Sequence, residues 1–475
     1  MTSINILCCY YLHGLDGSEK DFQCIKSKVK ENFNLLFQEA NKSNNIKNYH
    51  YGYCSNDNAN LKSHAELKVM VDKSFNELNN FLENIVLSNF KNDYQKEYNN
   101  FENIPCNLYF SIIGHSLGGL ISRGLAKKIY SEFEKDDSKF ENYFEYLKKK
   151  FTFISTINPC SFLTLSTPHL GSLVNNENGG LIKFSMKTFS RTYCNFLSGS
   201  IGKTFIYKDN KNKKPGLIEL CQKEYMDAYA KFPNRTLIGC VRNDIPVKIC
   251  SAMGSIHHPL PEYEEEKLLV DNSKSDTRIC SYSGYNEGEE LEYYQKEIFN
   301  ENSSKNMFYN NTKLLPPPNI DKEIEEGLEK IKSNKDNKSK SNENVTPPKY
   351  EEMDDVFIPD TYNQVEVAIS ALKLFNQISF RRIIIDFSLP GFAKMATHPV
   401  YIGYVIVPSN STINAMVSKS VSLISNLILA DYLRTSQQSS TFTLNSLINN
   451  ENDENENKEN ENDKENDKEN KNKET

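Results

Sequence analysis

A serine in a glycine-rich turn is the sharpest chemical feature of this sequence. Residues 114–119 read Gly-His-Ser-Leu-Gly-Gly, which places Ser116 in the pattern G-x-S-x-G. A strand-like apolar run at 108–113 precedes the turn, and apolar residues at helical spacing follow it. In that context the pattern forms a nucleophile elbow, in which the serine hydroxyl stands above the edge of a sheet. Ser116 is therefore the candidate nucleophile.

The elbow also accounts for its flanking residues, Gly114, His115 and Gly118. Side chains at 114 and 118 would collide with neighbouring backbone in so tight a strand-to-helix turn, and only glycine avoids that collision. The alternative interpretation is an ordinary helix start capped by Ser116.

A serine nucleophile needs two backbone N–H groups directed at the oxygen that becomes negative during attack. Leu117, the residue after the serine, supplies the first. The second is expected from a loop after an earlier strand, and Tyr-Leu-His-Gly-Leu-Asp-Gly at 11–17 follows the first predicted strand. Leu15 is the expected second donor. The alternative for this stretch is a glycine-rich turn with a locally bonded His13.

The acid of a triad on this kind of fold follows the serine in the chain and precedes the histidine. Asp244 comes directly after a predicted strand at 236–240, in a loop that a proline stops from continuing. Asp386 lies inside the last predicted strand and Asp57 precedes the nucleophile, so both fit less well. Asp244 is the expected acid.

The expected base is His398, because it follows the last predicted strand, 382–387, where the fold places its histidine. Two other histidines also follow the acid. His257 and His258 lie about a dozen residues beyond it on a proline-containing loop, and they are interpreted as residues of the surface or of the pocket rim.

The elements that must position these residues alternate between strand and helix patterns, which predicts an α/β fold with a mostly parallel central sheet and helices on both faces. Apolar residues between 413 and 428 predict a last helix that covers the sheet. The predicted strands are 4–12, 49–53, 108–113, 161–165, 236–240 and 382–387.

Composition divides the chain into four regions. Residues 1–286 are expected to form the first part of the core, with nucleophile and acid, and 349–436 the second part, with the histidine. Residues 287–348 and 437–475 are low in apolar residues and rich in Asn, Lys, Ser or acidic side chains, so both are expected to be disordered. A further stretch, 174–215, mixes apolar residues with Gly, Ser and Lys, which fits either a flap over a pocket or an irregular loop.

Charge and residue content exclude several classes of protein. The last 25 residues carry 11 acidic and 5 basic side chains, a net charge of −6, so the first 450 residues hold −1 of the total of −7. A body this close to neutral lacks the concentrated basic face of a nucleic-acid binder. The eleven cysteines and eight histidines show no spacing that holds zinc, and neither a metal nor another cofactor is expected. The cysteines are expected to be reduced and mostly buried.

The sequence also argues against membrane insertion. The first residues lack the basic region of a signal peptide. The longest stretch without Asp, Glu, Lys or Arg, 395–418, is interrupted by Pro408 and by a polar run. A cytoplasmic protein without a transmembrane segment is expected, with peripheral contact to lipid droplets or membranes as the additional location.

These segments together resemble the lipase-like serine esterases of eukaryotes, a family of the α/β-hydrolase superfamily. The resemblance implies that Ser116, Asp244 and His398 occupy the triad positions. Phe380 stands where relatives carry Trp, and the region between acid and histidine is longer than in the family. The matching segments read HGLDG at 13–17, GHSLGGLISR at 114–123, FLTLSTPHLGS at 162–172, FPNRTLIGCVRNDIPV at 232–247, FNQISFRRIIIDF at 375–387 and MATHPV at 395–400.

The sequence therefore predicts a serine hydrolase that cleaves carboxylic esters, with lipid esters (acylglycerols or phospholipids) as the expected substrates. A thioesterase or an acyltransferase would share Ser116 and differ only in the leaving group or the acceptor. A non-catalytic interaction protein that retains the fold is the alternative from a different class.

Overall fold

A sheet of eight strands forms the centre of the described part of the protein. Its strands are β1 (Ser3–Leu12), β2 (Ile46–Cys54), β3 (Cys106–His115), β6 (Ile154–Leu165), β7 (Asn234–Cys240), β8 (Thr277–Ser283), β9 (Lys313–Leu314) and β10 (Arg381–Phe387), and a separate hairpin consists of β4 (Phe133–Lys135) and β5 (Ser138–Phe140). The order in the sheet is β2-β1-β3-β6-β7-β10-β8-β9, in which the first six strands are mutually parallel and β8 runs antiparallel to β10.

The coordinates are a computed structural model, which describes most of the chain outside four long gaps. The described residues are 3–42, 46–97, 103–171, 199–209, 214–241, 244, 246–255, 259, 277–283, 313–314, 317–326, 329, 364–387, 397–400, 402–403 and 411–437.

Helices cover both faces of the sheet. The described helices are α1 (Gln23–Lys42), α2 (Leu67–Asn80), α3 (Asn89–Glu97), α4 (Leu117–Ile129), α5 (Tyr143–Lys150), α6 (Gly199–Phe205), α7 (Gly216–Glu219), α8 (Lys223–Ala230), α9 (Ile249–Met253), α10 (Gln364–Phe375), α11 (Thr397–Val400) and α12 (Ser411–Ser436), with a 3₁₀ helix at Asn60–His64 and a π-helical stretch at Phe81–Ser88 between α2 and α3.

The central strands are apolar on both faces because each face has its own core. Along β1, Ile4 and Ile6 belong to the core formed with α2, α4 and α8, whereas Leu7 and Cys9 belong to the core formed with α1 and α12. Successive side chains of a strand point to opposite faces, so a strand buried on both sides reads as a continuous apolar run.

The predicted fold class is confirmed, and each of the six predicted strands is present, with ends that differ from the expected ones by at most seven residues. The sequence did not predict the hairpin of β4 and β5 or the two strands β8 and β9. Strands β4, β5 and β9 have only two or three residues, and β8, with the sequence TRICSYS, contains mainly polar residues.

The structure differs from the expectation of disorder in part of the region 287–348. Strand β9 pairs with β8, and residues 320–326 are helical. On this helix Glu323 is buried and accepts hydrogen bonds from Ser255 Oγ at 2.8 and 3.0 Å, while Ile320 and Ile324 pack against the core. These two isoleucines are four residues apart, which is helical spacing, but they stand among polar residues and did not suggest a helix. The rest of 287–348, and 438–475, lie outside the described residues.

The expected flap is also only partly described. Residues 172–198 lie outside the described part of the chain. The residues that follow them form α6, in which Ile201 and Phe205 are buried in the core. These two apolar side chains are therefore part of the folded body and are not available to cover a substrate.

A buried ion pair fixes the last strand. Arg381 at the start of β10 donates two hydrogen bonds to Asp431 on α12, at 3.0 and 2.9 Å, and both side chains are fully buried. Ser161 Oγ donates to the same carboxylate at 2.9 Å. Removing one partner would leave a buried charge unpaired, which is strongly destabilising.

Two further observations concern the described residues alone. Of the nine cysteines whose side chains the structure describes, eight are buried and Cys24 is exposed. None of their helices has the length and apolar character needed to cross a bilayer.

Candidate active site

Ser116 occupies a strained backbone position between β3 and α4. Its φ of 53° and ψ of −122° fall in a region that non-glycine residues avoid at a cost of about 1–3 kcal/mol. Two hydrogen bonds hold this conformation, from Ser116 N to Leu165 O at 2.8 Å and from Gly119 N to Ser116 O at 3.1 Å. The serine is 8% exposed, and its strained turn between a strand and a helix is the backbone arrangement that a nucleophile elbow requires.

Two glycines make room for this turn. A Cβ atom on Gly114 would lie 2.6 Å from the backbone of Gly119, and one on Gly118 would lie 2.6 Å from His13 O. Both contacts are with backbone atoms, which cannot move aside as a flexible side chain can. The elbow therefore packs directly against the loop that follows β1.

That loop, residues 13–17, lies beside the nucleophile. A Cβ atom on Gly14 would lie 2.9 Å from Ser116 Cβ, so the loop backbone passes next to the serine. The 3₁₀ helix at Asn60–His64 holds the loop through hydrogen bonds from Asn60 N to Gly17 O at 2.9 Å and from Asp16 N to Ser63 Oγ at 2.8 Å.

The two expected N–H donors flank the elbow. Leu15 is half-buried in the loop. Leu117 is the first residue of α4, and the first N–H groups of a helix have no partner one turn earlier. An N–H group at that position is free to bind an anionic oxygen.

Asp244 follows β7 in a buried position, with 4% of its surface exposed. Its carboxylate accepts hydrogen bonds from Val247 N at 3.1 Å and from the hydroxyl of Ser166. It also lies 3.0 and 3.2 Å from Nδ1 of His398. An ionised carboxylate only accepts hydrogen bonds, so Nδ1 of His398 carries the proton and Nε2 keeps a lone pair.

His398 lies on the short helix α11 and contacts the residue before the nucleophile. Its carbonyl oxygen is 3.0 Å from Nε2 of His115, and the two imidazole rings have centroids 4.6 Å apart. The structure thus brings Asp244 to His398, and His398 to the neighbour of Ser116.

The remaining candidates for acid and base stand elsewhere. Asp386 lies within β10, paired in register with Arg278 of β8. Asp57 is exposed in the loop after β2, where its N–H donates to Glu77 at 3.3 Å. His257 and His258 lie outside the described residues.

Ser166 is a site residue that the sequence reasoning missed. It follows β6 directly, is fully buried, has a φ of 46° and bonds to the Asp244 carboxylate. Its neighbour Leu165 accepts the hydrogen bond from Ser116 N, so one turn touches both nucleophile and acid. Its position at the end of a strand, like Ser116 and Asp244, was the available signal.

His169 of the same turn is buried away from solvent. Its Nε2 lies 3.1 Å from Thr164 Oγ1, and its ring stacks on Phe375 with centroids 4.6 Å apart. Burial, together with the nearby Arg123 and Arg382, holds the pKa of His169 well below the usual range. The ring is neutral at neutral pH.

Within the described part of the chain, no group of three His, Cys, Asp or Glu side chains has an arrangement that could hold a metal ion.

A family comparison decides the class of protein. Residues 7–255, more than half of the chain, match the family described as Putative serine esterase (DUF676). The chain belongs to this serine esterase family. It is therefore a hydrolase of the esterase type. The matched part of the serine esterase contains the loop at 13–17, Ser116, Ser166 and Asp244, whereas His398 lies beyond its end.

Solved structures offer only distant likenesses. "Phospholipase PlaB from Legionella pneumophila in complex with thio-NAD" is 13% identical over 50% of this chain and 38% of that one, with a TM-score of 0.23. The "putative cell surface hydrolase from Lactobacillus plantarum WCFS1" is 13% identical over 50% of this chain and 67% of that one, with a TM-score of 0.15. The serine esterase thus spans little more than a third of the phospholipase, and likenesses this weak carry no argument. No curated protein matches in a sequence search.

Proposed function

We propose that this serine esterase hydrolyses carboxylic esters with Ser116 as nucleophile, His398 as general base and Asp244 as the acid that orients the base. The observation that carries the proposal is the contact between the Asp244 carboxylate and His398 Nδ1 at 3.0 Å. It leaves Nε2 of the imidazole as the proton acceptor that a serine nucleophile requires.

The proposed reaction is acyl transfer to the serine followed by hydrolysis. As Ser116 Oγ bonds to the ester carbonyl carbon, Nε2 of His398 takes the hydroxyl proton, and the N–H groups of Leu15 and Leu117 stabilise the oxyanion. The imidazolium then gives its proton to the departing alcohol. Water, deprotonated by the same nitrogen, cleaves the acyl-enzyme and releases the acid, while Asp244 stays ionised throughout.

The test uses a fluorophosphonate probe and p-nitrophenyl butyrate. We expect labelling of the wild type at Ser116, and Ser116→Ala and His398→Ala each to lower kcat by at least about 10³-fold, because nucleophile and base act as one unit. Ser131→Ala, at the far end of the helix that follows the elbow, is the matched control and should retain activity. A folded wild type that neither reacts with the probe nor hydrolyses esters would be an interaction protein instead.

We further propose that the substrates are lipid esters. Apolar surface stands beside the proposed oxyanion loop: Leu15 is half-buried there, and Leu61, on the 3₁₀ helix that bonds to the loop, is 78% exposed. A large exposed apolar side chain next to a reaction centre can contact the acyl chain of a substrate and remove it from water.

A series of esters from acetyl to dodecanoyl tests the substrate class. We expect kcat/KM to rise with chain length, and Leu61→Ser to raise KM for the longer esters about threefold or more through lost apolar contact. Leu35→Ser removes a leucine that is 42% exposed on α1 and should leave the series unchanged. A preference for acetyl esters would indicate a small-ester esterase, and faster cleavage of matching thioesters would indicate a thioesterase.

A further inference from the structure

His115 is the last residue of β3, directly before Ser116, and is buried, with 4% of its surface exposed. It occupies the variable position of the G-x-S-x-G pattern, where any side chain satisfies the motif. Its Nε2 nevertheless meets a specific partner, the carbonyl oxygen of His398 at 3.0 Å.

The direction of this hydrogen bond is fixed by chemistry. Burial, followed by the neighbouring His398, holds the pKa of His115 well below its usual range, so the ring is neutral and has a single N–H. A carbonyl oxygen can only accept, so that N–H is on Nε2. Nδ1 has no partner among the described residues and faces the loop, 3.3 Å from the place of a Cβ atom on Gly14.

The proposed general base, His398, lies on a very short helix. Helix α11 has only four residues, Thr397–Val400. Among the described residues, two hydrogen bonds orient His398: the imidazole bonds to Asp244, and the main-chain carbonyl bonds to His115. The first sets the rotation of the ring, and the second sets the position of the backbone from which the ring projects.

We propose that His115 is a positioning residue for the proposed general base: its Nε2–H holds the carbonyl of His398 and thereby keeps the imidazole within reach of the adjacent Ser116. The inference rests on the proposed function. A general base must lie within hydrogen-bond reach of the proton that it removes, and a displacement of about 1 Å can cost on the order of 10²-fold in rate.

Three substitutions at position 115 distinguish the effect of the Nε2–H donor from the effect of the imidazole ring. Glutamine places an amide N–H close to the position of Nε2, so His115→Gln should keep the bond. Leucine removes the donor at similar volume. Asparagine is polar but too short to reach the carbonyl, so it gives a second donor-free variant if His115→Leu does not fold.

The readouts are kcat and KM for p-nitrophenyl butyrate and the rate of fluorophosphonate labelling. We expect His115→Leu and His115→Asn to lower kcat and the labelling rate about 10- to 100-fold with KM within about twofold of wild type. His115→Gln should stay within about threefold of wild type in both. In a His398→Ala background, His115→Leu should not slow the residual labelling further, because the group that it positions is gone.

Any one of three results would overturn the inference. Wild-type kcat in a folded donor-free variant, a Gln variant as slow as the Asn variant, or an additive loss in the His398→Ala background would show that His115 does not act through His398. Failure of the proposed function is a separate result: the wild type and Ser116→Ala would then label equally, whatever residue stands at 115.

Discussion

The Asp244 carboxylate is held from several directions in a buried site. Ser166 and Val247 donate to it, and His398 lies within hydrogen-bond distance of both of its oxygens. A carboxylate with this many donors is fixed in orientation. In the proposed reaction, such a carboxylate selects one tautomer of the histidine and stabilises the imidazolium.

Replacing this carboxylate by an amide gives a prediction at the scale of one residue. Asp244→Asn keeps the shape but cannot stabilise the imidazolium, and its amide can favour the wrong tautomer, so we expect kcat/KM to fall by roughly 10⁴-fold, the penalty in the best-studied triad. Steady-state hydrolysis of p-nitrophenyl butyrate measures it.

Asp386→Asn is the matched control, since Asp386 is equally buried but lies within β10. Its activity per folded molecule should stay close to wild type. The reverse ranking of the two variants would assign the acid role to Asp386.

Individual residues were predictable where local pattern alone decides them. Ser116 and its glycines form one contiguous motif, and Asp244 and His398 each follow a recognisable strand. Ser166 was not predicted, because its position at the end of a strand does not by itself show which side chain it contacts. Its role depends on a carboxylate 78 positions away.

At the scale of elements, five adjacent strands bring the candidate site together. Strands β1, β3, β6, β7 and β10 lie side by side in the sheet and run parallel. Each is followed by one component: the loop at 13–17, Ser116, Ser166, Asp244 and, after a longer connection, His398. The carboxyl ends of parallel strands meet at one edge of a sheet, which is where such folds place their sites.

A second element, the helix at 320–326, supports this edge from outside. Glu323 accepts two hydrogen bonds from Ser255, which closely follows α9. Ser251, which lies on α9, accepts a hydrogen bond from Leu170 N at 3.1 Å and donates one to Gly171 O at 2.7 Å. Burial lowers the pKa of Arg382 to about 10, and the nearby Glu323 acts in the opposite direction by raising it.

This docking predicts a specific loss of stability. Glu323→Gln removes a buried negative charge that accepts from Ser255 and neighbours an arginine, so we expect the free energy of unfolding to fall by about 1–3 kcal/mol. Urea denaturation followed by fluorescence or circular dichroism measures the change. Glu325→Gln, on the exposed side of the same helix, should stay within about 0.5 kcal/mol of wild type.

Equal midpoints for these two variants would mean that the segment does not dock in solution. The result also bears on deletions within 287–348, because a shortened chain must keep 317–326 to retain this contact.

At the scale of the whole molecule, three histidines link stability to pH: His115 and His169 are buried, and the half-buried His50 has buried ring nitrogens. Burial lowers the pKa of His50 to about 3 and holds those of His115 and His169 well below the usual range. The unfolded chain takes up a proton on each near pH 6.5, whereas the folded chain does not. Stability from these groups is therefore complete above pH 6.5 and is lost as pH falls from there toward 3.

His50 allows this linkage to be isolated. Its ring nitrogens are buried without hydrogen-bond partners among the described residues, and the ring packs on Phe33 at 5.5 Å. In His50→Phe we expect the drop in unfolding free energy between pH 7.5 and 5.5 to be about 1.4 kcal/mol smaller than in wild type. Urea titrations at the two pH values measure it.

Tyr51→Phe, on the same strand, adds no group that titrates in this range and serves as the control. It should show the same pH dependence as wild type. If His50→Phe also follows the wild type, His50 takes up its proton equally in the folded and unfolded chains.

The sequence by itself determined the alternation of strands and helices, the tight turn at Ser116 and the order in which the candidate nucleophile, acid and base follow one another. These follow from short-range rules: a period of two or 3.6 residues, and glycine where a turn leaves no room. Only the tertiary structure decided that Asp244 contacts His398 across 154 positions, that Ser166 and His115 hold the two from either side, and that Glu323 docks within a polar region. Contacts of that range depend on the order and register of strands in the sheet, which local periodicity does not encode.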